Sequence, residues 1–126
     1  MERRYLTTLC LLIFHQIDAA YWHEWEMFYL PGGIQLYLVF NIIVLPVLLM
    51  GYKSVIVGSD SRYRYSYLCA VLGILTFTIH AIFLLFSYEQ FTLPLSLLLI
   101  VACLVSAIWQ LMQLKVEKEK AKRDAA

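Results

Sequence analysis

Charge is scarce in this chain. Of 126 residues, 15% are Asp, Glu, Lys or Arg, against 62% hydrophobic. Soluble domains carry about 25% charged and about 45–50% apolar residues. An ordinary water-facing shell is therefore excluded as the default, and a membrane protein takes its place. Cysteine is scarce as well. Cys10, Cys69 and Cys103 all lie inside apolar runs, with no CxxC or Cys/His spacing. That pattern excludes a disulfide framework and a cysteine-based zinc module, and it leaves the three as small apolar core residues. Glycine and proline number only five and three, so each break in a helical pattern is informative. The chain shows no repeat or low-complexity segment, no phosphate loop, no serine or cysteine catalytic arrangement and no nucleic-acid surface. Its length fits one domain.

What is present is apolar length. Four segments are long enough to cross about 30 Å of hydrocarbon at about 1.5 Å per residue: Tyr5 to about Trp25, Ile34 to Tyr52, Tyr67 to Phe86 and Leu93 to Leu114. Lipid cannot satisfy backbone N–H and C=O groups, so spanning segments of this kind are helices. The expected fold is all-α, a four-transmembrane-helix bundle. Pro31, Gly32 and Gly33 break the chain after the first segment, and polar loops end the others. Pro46 predicts a kink in the second. The tail "KVEKEKAKRDAA", residues 115–126, reads as a charged helical extension into solvent. The first segment also has features of a signal peptide, with Arg3, Arg4 and the small pair Ala19 and Ala20. Ile17 fits poorly at the small position before Ala19, and Asp18 lies inside the cleavage site, so the segment is expected to stay.

The little charge there is falls unevenly. Four spans put the N-terminus, the middle loop and the tail on one side. All ten basic residues lie there: Arg3, Arg4, Lys53, Arg62, Arg64, Lys115, Lys118, Lys120, Lys122 and Arg123. The other side has Glu24, Glu26 and Glu89 and no base. The positive-inside rule then makes both termini cytoplasmic. Tyr21, Trp22, Trp25, Phe28 and Tyr88 mark the outer interface, and Tyr5, Tyr52, Tyr63, Tyr65 and Tyr67 the inner one.

Within this frame, polar residues gather at one depth. Asp18 is thirteen residues above Tyr5, about 20 Å, and His80 is thirteen above Tyr67. Asn41, twelve before Lys53, lands near the same level, and His15 lies one turn below Asp18 on the same face. Trp22 and Glu26 continue that stripe upward, with His23 and Glu24 at its mouth. A lone polar group in lipid costs several kcal/mol, so these side chains are expected to face inward together. Their meeting admits three uses. One is a buried hydrogen-bond network that fixes helix register. Another is a metal site on His15, Asp18 and His80, suited to zinc or ferrous iron. The third is a proton relay or a ligand pocket. Ser96, Cys103, Ser106, Gln110 and Gln113 form a stripe on the fourth segment and are expected to serve close helix packing. Gly73 and Thr76, at helical spacing before His80, are expected to admit a neighbouring helix.

At "FHQIDAAYWHEW" the chain resembles an uncharacterised family of small bacterial four-helix integral membrane proteins, with a His-x-x-Asp-Ala run and then a Glu-Trp pair in the first helix. His15, Asp18, Ala19, Glu24 and Trp25 fill those places here. His80 and "FLLFSYEQF" resemble the family's third helix, but Leu84 stands where some relatives have a second histidine. The resemblance extends over most of the chain. It implies a fold and a place in the bacterial inner membrane, not a reaction.

The expected function is a binding or accessory membrane protein with a buried polar site, in contact with the lipid bilayer and with a homo-oligomer or membrane partner protein open to it. An intramembrane metal-dependent hydrolase or lipid isomerase using His15, Asp18 and His80 is the alternative. A small multidrug-type transporter is a further one, which the one-sided distribution of Lys and Arg disfavours.

Overall fold

The structure is a computed structural model that describes residues 1–86 and 92–124. Among these residues every regular element is helical: α1 (Glu2–Tyr21), α2 (Glu24–Met27), α3 (Gly33–Ile56), α4 (Arg62–Leu85) and α5 (Pro94–Asp124). The expected interface residue Tyr88 and the outer carboxylate of Glu89 lie outside the described residues. α3, α4 and α5 are each long and apolar enough to cross a membrane. α1 does not reach that level, because Arg3, Arg4, His15, Gln16 and Asp18 dilute its apolar residues.

Several helix ends differ from the sequence expectation. The first helix stops at Tyr21 instead of running to Trp25, α3 runs on past Tyr52 to Ile56, and α4 begins at Arg62 instead of Tyr67. α5 continues to Asp124 through the tail already read as a helical extension. Proline at the first position of α5 fits a helix start, where its missing N–H has no intrahelical role. α3 carries Pro46 within one unbroken helix.

The four long helices alternate in direction, and their contacts define a register. α5 runs antiparallel to α1. Arg4 donates to the Trp109 carbonyl at 3.2 Å, Thr8 pairs with Ser106 at 2.7 Å, and Ser96 donates to Asp18 at 2.9 Å. α5 also runs antiparallel to α4, where Gln110 donates to the Ser66 carbonyl at 2.8 Å. Close approach there rests on small residues. A methyl group on Gly73 would stand 3.0 Å from the Ala107 Cβ and 3.1 Å from the Cys103 carbonyl oxygen. Ser96, Cys103, Ser106 and Gln110 of the expected stripe are buried, and Gln113 is half-buried and donates to Glu117. Small side chains and interhelical hydrogen bonds are what holds helices together once burial of apolar area contributes little. Thr8→Val and Ser106→Ala are accordingly expected to be coupled by about 0.6–2 kcal/mol in a double-mutant cycle read from thermal unfolding in detergent. Additive effects would show that the pair contributes nothing.

The apolar core is uneven along the bundle. Its larger cluster joins Tyr5, Leu9, Leu12, Leu48, Val55, Cys69 and Cys103 in the half that holds both termini. Among the described residues, the other half's core cluster holds Ala19, Met27 and Ile100 as buried apolar residues. Large apolar side chains such as Phe14, Ile17, Ile42, Leu85 and Trp109 stand exposed around the outside. A water-soluble monomer rarely exposes so much, whereas a bilayer is their matching solvent. The half with the thin apolar core is the one that carries the polar layer.

Candidate functional site

His15 and Asp18 both turn inward from α1, three residues apart, yet they meet different partners. His15 is 1% exposed and faces His80 of α4, with ring centroids 4.8 Å apart and planes at 90°. Asp18 turns to α5 instead. Ser96 donates to its Oδ1, and the Trp22 indole donates to the Ser96 hydroxyl at 3.3 Å. A chain of three side chains therefore ties the top of α1 to the start of α5.

The register explains why the His80 ring packs against His15 and not level with Asp18. The Ser66 hydroxyl lies 3.2 Å from the Met1 sulfur, so Ser66 and Met1 share a level. Each is fourteen residues before its histidine, and two neighbouring helices with the same rise carry both imidazoles to one height. Tyr67 is therefore about one turn below Tyr5, and aligning those two tyrosines displaces His80 by the same amount.

A third group reaches the imidazole pair by a turn. α1 ends at Tyr21, and His23 adopts a left-handed conformation at φ 53°. The chain reverses there, and α2 swings Glu24 back over the bundle end. The Glu24 Oε1 comes to 3.6 Å from His80 Nε2, with only 12% of its side chain exposed. Burial, and after it the nearby Asp18 carboxylate, push the Glu24 carboxyl up to about 7. His23, which makes the turn, stays outside: its side chain is 59% exposed and 3.9 Å from Glu26. Glu26 is exposed too and does not extend the inward stripe.

The protonation pattern of His80 follows from its other nitrogen. Nδ1 lies 2.7 Å from the Thr76 carbonyl oxygen, which can only accept. Nδ1 therefore carries the proton, and Nε2 of the neutral ring presents a lone pair toward Glu24. Such a backbone contact is also how metal-binding imidazoles are commonly oriented. One ligand atom from each of His15, Glu24 and His80 can be chosen so that all lie within 4.8 Å of one another. Asp18 does not belong to that group. Among the described residues, the group whose atoms gather closely enough to hold an ion is thus His15, Glu24 and His80, where the sequence pointed to His15, Asp18 and His80.

These three side chains border a cavity of about 570 Å³ between α1, α2, α3 and α4. Its walls are mostly apolar, from Leu12, Leu36, Val44, Leu45 and Leu72 among others, and its polar edge adds Gln16, Asn41 and Thr76. Asn41 reaches this cavity without joining the imidazoles, since its amide donates to the Tyr37 carbonyl of its own helix at 3.0 Å. The Tyr37 hydroxyl in turn donates to the Gln16 carbonyl and pins α3 to α1. Sequence reasoning missed Ser96 as a partner of Asp18 and Tyr37 as a strut. Tyr37 stands four residues before Asn41, on the same helical face, which was the available signal.

No curated protein and no solved structure matches the chain. The family comparison covers residues 1–117, which include His15, Asp18, Glu24, Asn41, His80 and Ser96 and most of α5. The chain belongs to the family described as Family of unknown function (DUF6713).

Proposed function

We propose that this protein is a four-span integral membrane protein that binds a small, largely apolar molecule through a polar head group. The spans are α1, α3, α4 and α5, with both termini on the cytoplasmic side of a bacterial inner membrane. The observation that carries this reading is the cavity of about 570 Å³, walled by apolar side chains and polar along one edge. Small-molecule sites have this make-up, with volumes of about 300–1,000 Å³ and a few convergent polar groups. α1 supports the fourth span, because it starts beside the end of α5: the Met1 amine is 3.0 Å from Glu117. Its inward polar groups are matched by neighbours, so the helix exposes apolar Phe14 and Ile17 at the same heights. A binding or accessory role fits a site that gathers ligand atoms and an orienting carbonyl at the edge of an apolar cavity.

Native mass spectrometry of protein released from detergent tests the binding role. The wild-type chain is expected to retain a small-molecule adduct. Thr76→Trp and Leu45→Trp, each adding an indole to the cavity wall, are expected to lose it while keeping helical content. A wild-type spectrum at the bare chain mass would refute the ligand.

A further inference from the structure

Two imidazoles and one carboxylate meeting in the thin-cored half of a membrane bundle call for a cation. We propose that His15, Glu24 and His80 bind one divalent first-row transition metal ion of the zinc or ferrous class, at the polar edge of the cavity. The inference deepens the binding role above and rests on it for the meaning of the cavity.

Geometry carries the argument. Nε2 of His80 and Oε1 of Glu24 are both acceptors once Nδ1 has donated to Thr76, and they face each other at 3.6 Å. Two lone pairs at that distance repel unless a positive species lies between them, either a proton on one of them or a metal ion. A tetrahedral zinc with bonds of about 2.0–2.1 Å sets its ligand atoms about 3.3–3.4 Å apart. The His80–Glu24 pair is already near that edge length. The full triad, within 4.8 Å, has to close by at most about 1.5 Å, which rotation of the Glu24 side chain and of the His15 ring can supply. The donor types also select the ion. Imidazole with carboxylate suits zinc and iron, whereas calcium and magnesium prefer all-oxygen sets.

The surroundings fit a bound ion better than a bare triad. Asp18, held by Ser96, adds a further carboxylate three residues from His15. His80 is oriented through Nδ1, and burial at 1% and 5% exposure keeps both imidazoles from water. Among the described residues three ligands gather, which leaves a tetrahedral ion one position short, and all three border the cavity. The remaining position therefore opens on the cavity, where the head group of the apolar ligand becomes the fourth donor. A structural zinc site would instead be closed by a fourth side chain.

The decisive experiment uses the full chain, purified with an affinity tag that contains no histidine. Metal content is measured first, and the protein is then stripped with a chelator and titrated with cobalt(II). About one zinc or iron per chain is expected, with visible cobalt absorption of a tetrahedral site. His15→Ala, His80→Ala and Glu24→Gln are each expected to weaken cobalt binding by more than the roughly 10–100-fold typical of an outer-shell change. His23→Asn, which keeps the left-handed turn while removing the exposed imidazole, and Glu26→Gln on the exposed face are expected to leave it unchanged. Glu24→Cys guards against a folding artefact: a thiolate at that position adds a sulfur-to-cobalt charge-transfer band that only a direct ligand can give. Metal below one ion in ten chains, together with no cobalt band, would overturn the site and identify a proton between His80 and Glu24. Equal loss in His23→Asn or Glu26→Gln would overturn it in favour of surface binding. A metal-free chain that still retains its small-molecule adduct would refute the ion alone, and a metal-loaded chain without adduct would refute only the cavity ligand.

Discussion

Replacing Gly51 with valine is expected to unfold the half of the bundle that holds the termini. Gly51 sits where α3 crosses α1 and α4, and it is fully enclosed. A methyl group there would lie 2.8 Å from the Cβ of Tyr65 and would press on the hydroxyl of Tyr5. Neither neighbour can yield easily. The Tyr65 Cβ is fixed to the α4 backbone, so relief requires moving a whole helix. Tyr5 is 0% exposed, and its hydroxyl donates to the Leu48 carbonyl at 2.8 Å. Overpacking of this kind costs about 1–3 kcal/mol for an alanine, and more for the three carbons of valine. Forcing the Tyr5 hydroxyl off a buried acceptor adds about 1–3 kcal/mol. Total stabilities of about 5–15 kcal/mol leave little beyond that. Thermal unfolding followed by circular dichroism in detergent should show Gly51→Ala with a lowered midpoint and Gly51→Val with no cooperative transition. Tyr5→Phe removes the hydroxyl that collides, so it should make Gly51→Ala less harmful than in the wild-type background. A Gly51→Val chain with the wild-type midpoint would show that the three helices do not cross so closely.

The helices were legible in the sequence because lipid allows few alternatives. Apolar stretches of spanning length, broken at Pro31-Gly32-Gly33 and at polar loops, fix where α3, α4 and α5 run. The inward polar residues were legible for the same reason. His15 and His80 are polar groups within largely apolar segments, and turning inward toward other polar groups lowers their cost. The identity of the third partner was not legible. Continuing α1 as a helix to Trp25 turns Glu24 through about 240° from Asp18, away from the site, at 100° per residue. The turn that brings it back uses a left-handed histidine. No glycine or proline marks it, and histidine is a residue that adopts such a conformation only occasionally. Depth was misjudged by one turn for a different cause. Aromatic residues mark an interface several ångströms thick, so Tyr5 and Tyr67 need not share a level; the contact between Met1 and Ser66 sets the true register. Asn41 shows the remaining gap: its depth was readable, but its choice of the Tyr37 carbonyl over the imidazoles was not.

Whether α1 crosses the membrane has the sharpest expected outcome, because labelling is all or none. α1 alone among the long helices falls short in apolar content. If it lay outside the bilayer, the chain would have three spans and an N-terminus opposite its C-terminus. The packing argues otherwise. Met1 reaches Glu117 at 3.0 Å, and Tyr52 donates to Glu2 at 3.4 Å, so the start of α1 lies beside the ends of α3 and α5. Arg4 adds a cation over the Trp109 ring at 4.4 Å. In the proposed four-span arrangement all ten basic residues share one end, and the positive-inside rule predicts that end to be cytoplasmic. Each Lys or Arg buried at mid-membrane costs about 2.5–3.5 kcal/mol even on lenient scales, so inverting such a chain is strongly disfavoured. Single cysteines at Glu2, Tyr29 and Asp60, in a background with Cys10→Ala, report the result through a membrane-impermeant maleimide. Cys69 and Cys103 are buried and stay silent. Tyr29→Cys, exposed beyond α2, should label in intact cells. Glu2→Cys and Asp60→Cys should label only after the membrane is permeabilised. Labelling of Glu2→Cys in intact cells with Asp60→Cys protected would reduce the protein to three spans. His15 and His80 would then have to meet at the membrane surface, and the apolar cavity would lose its place inside the bilayer.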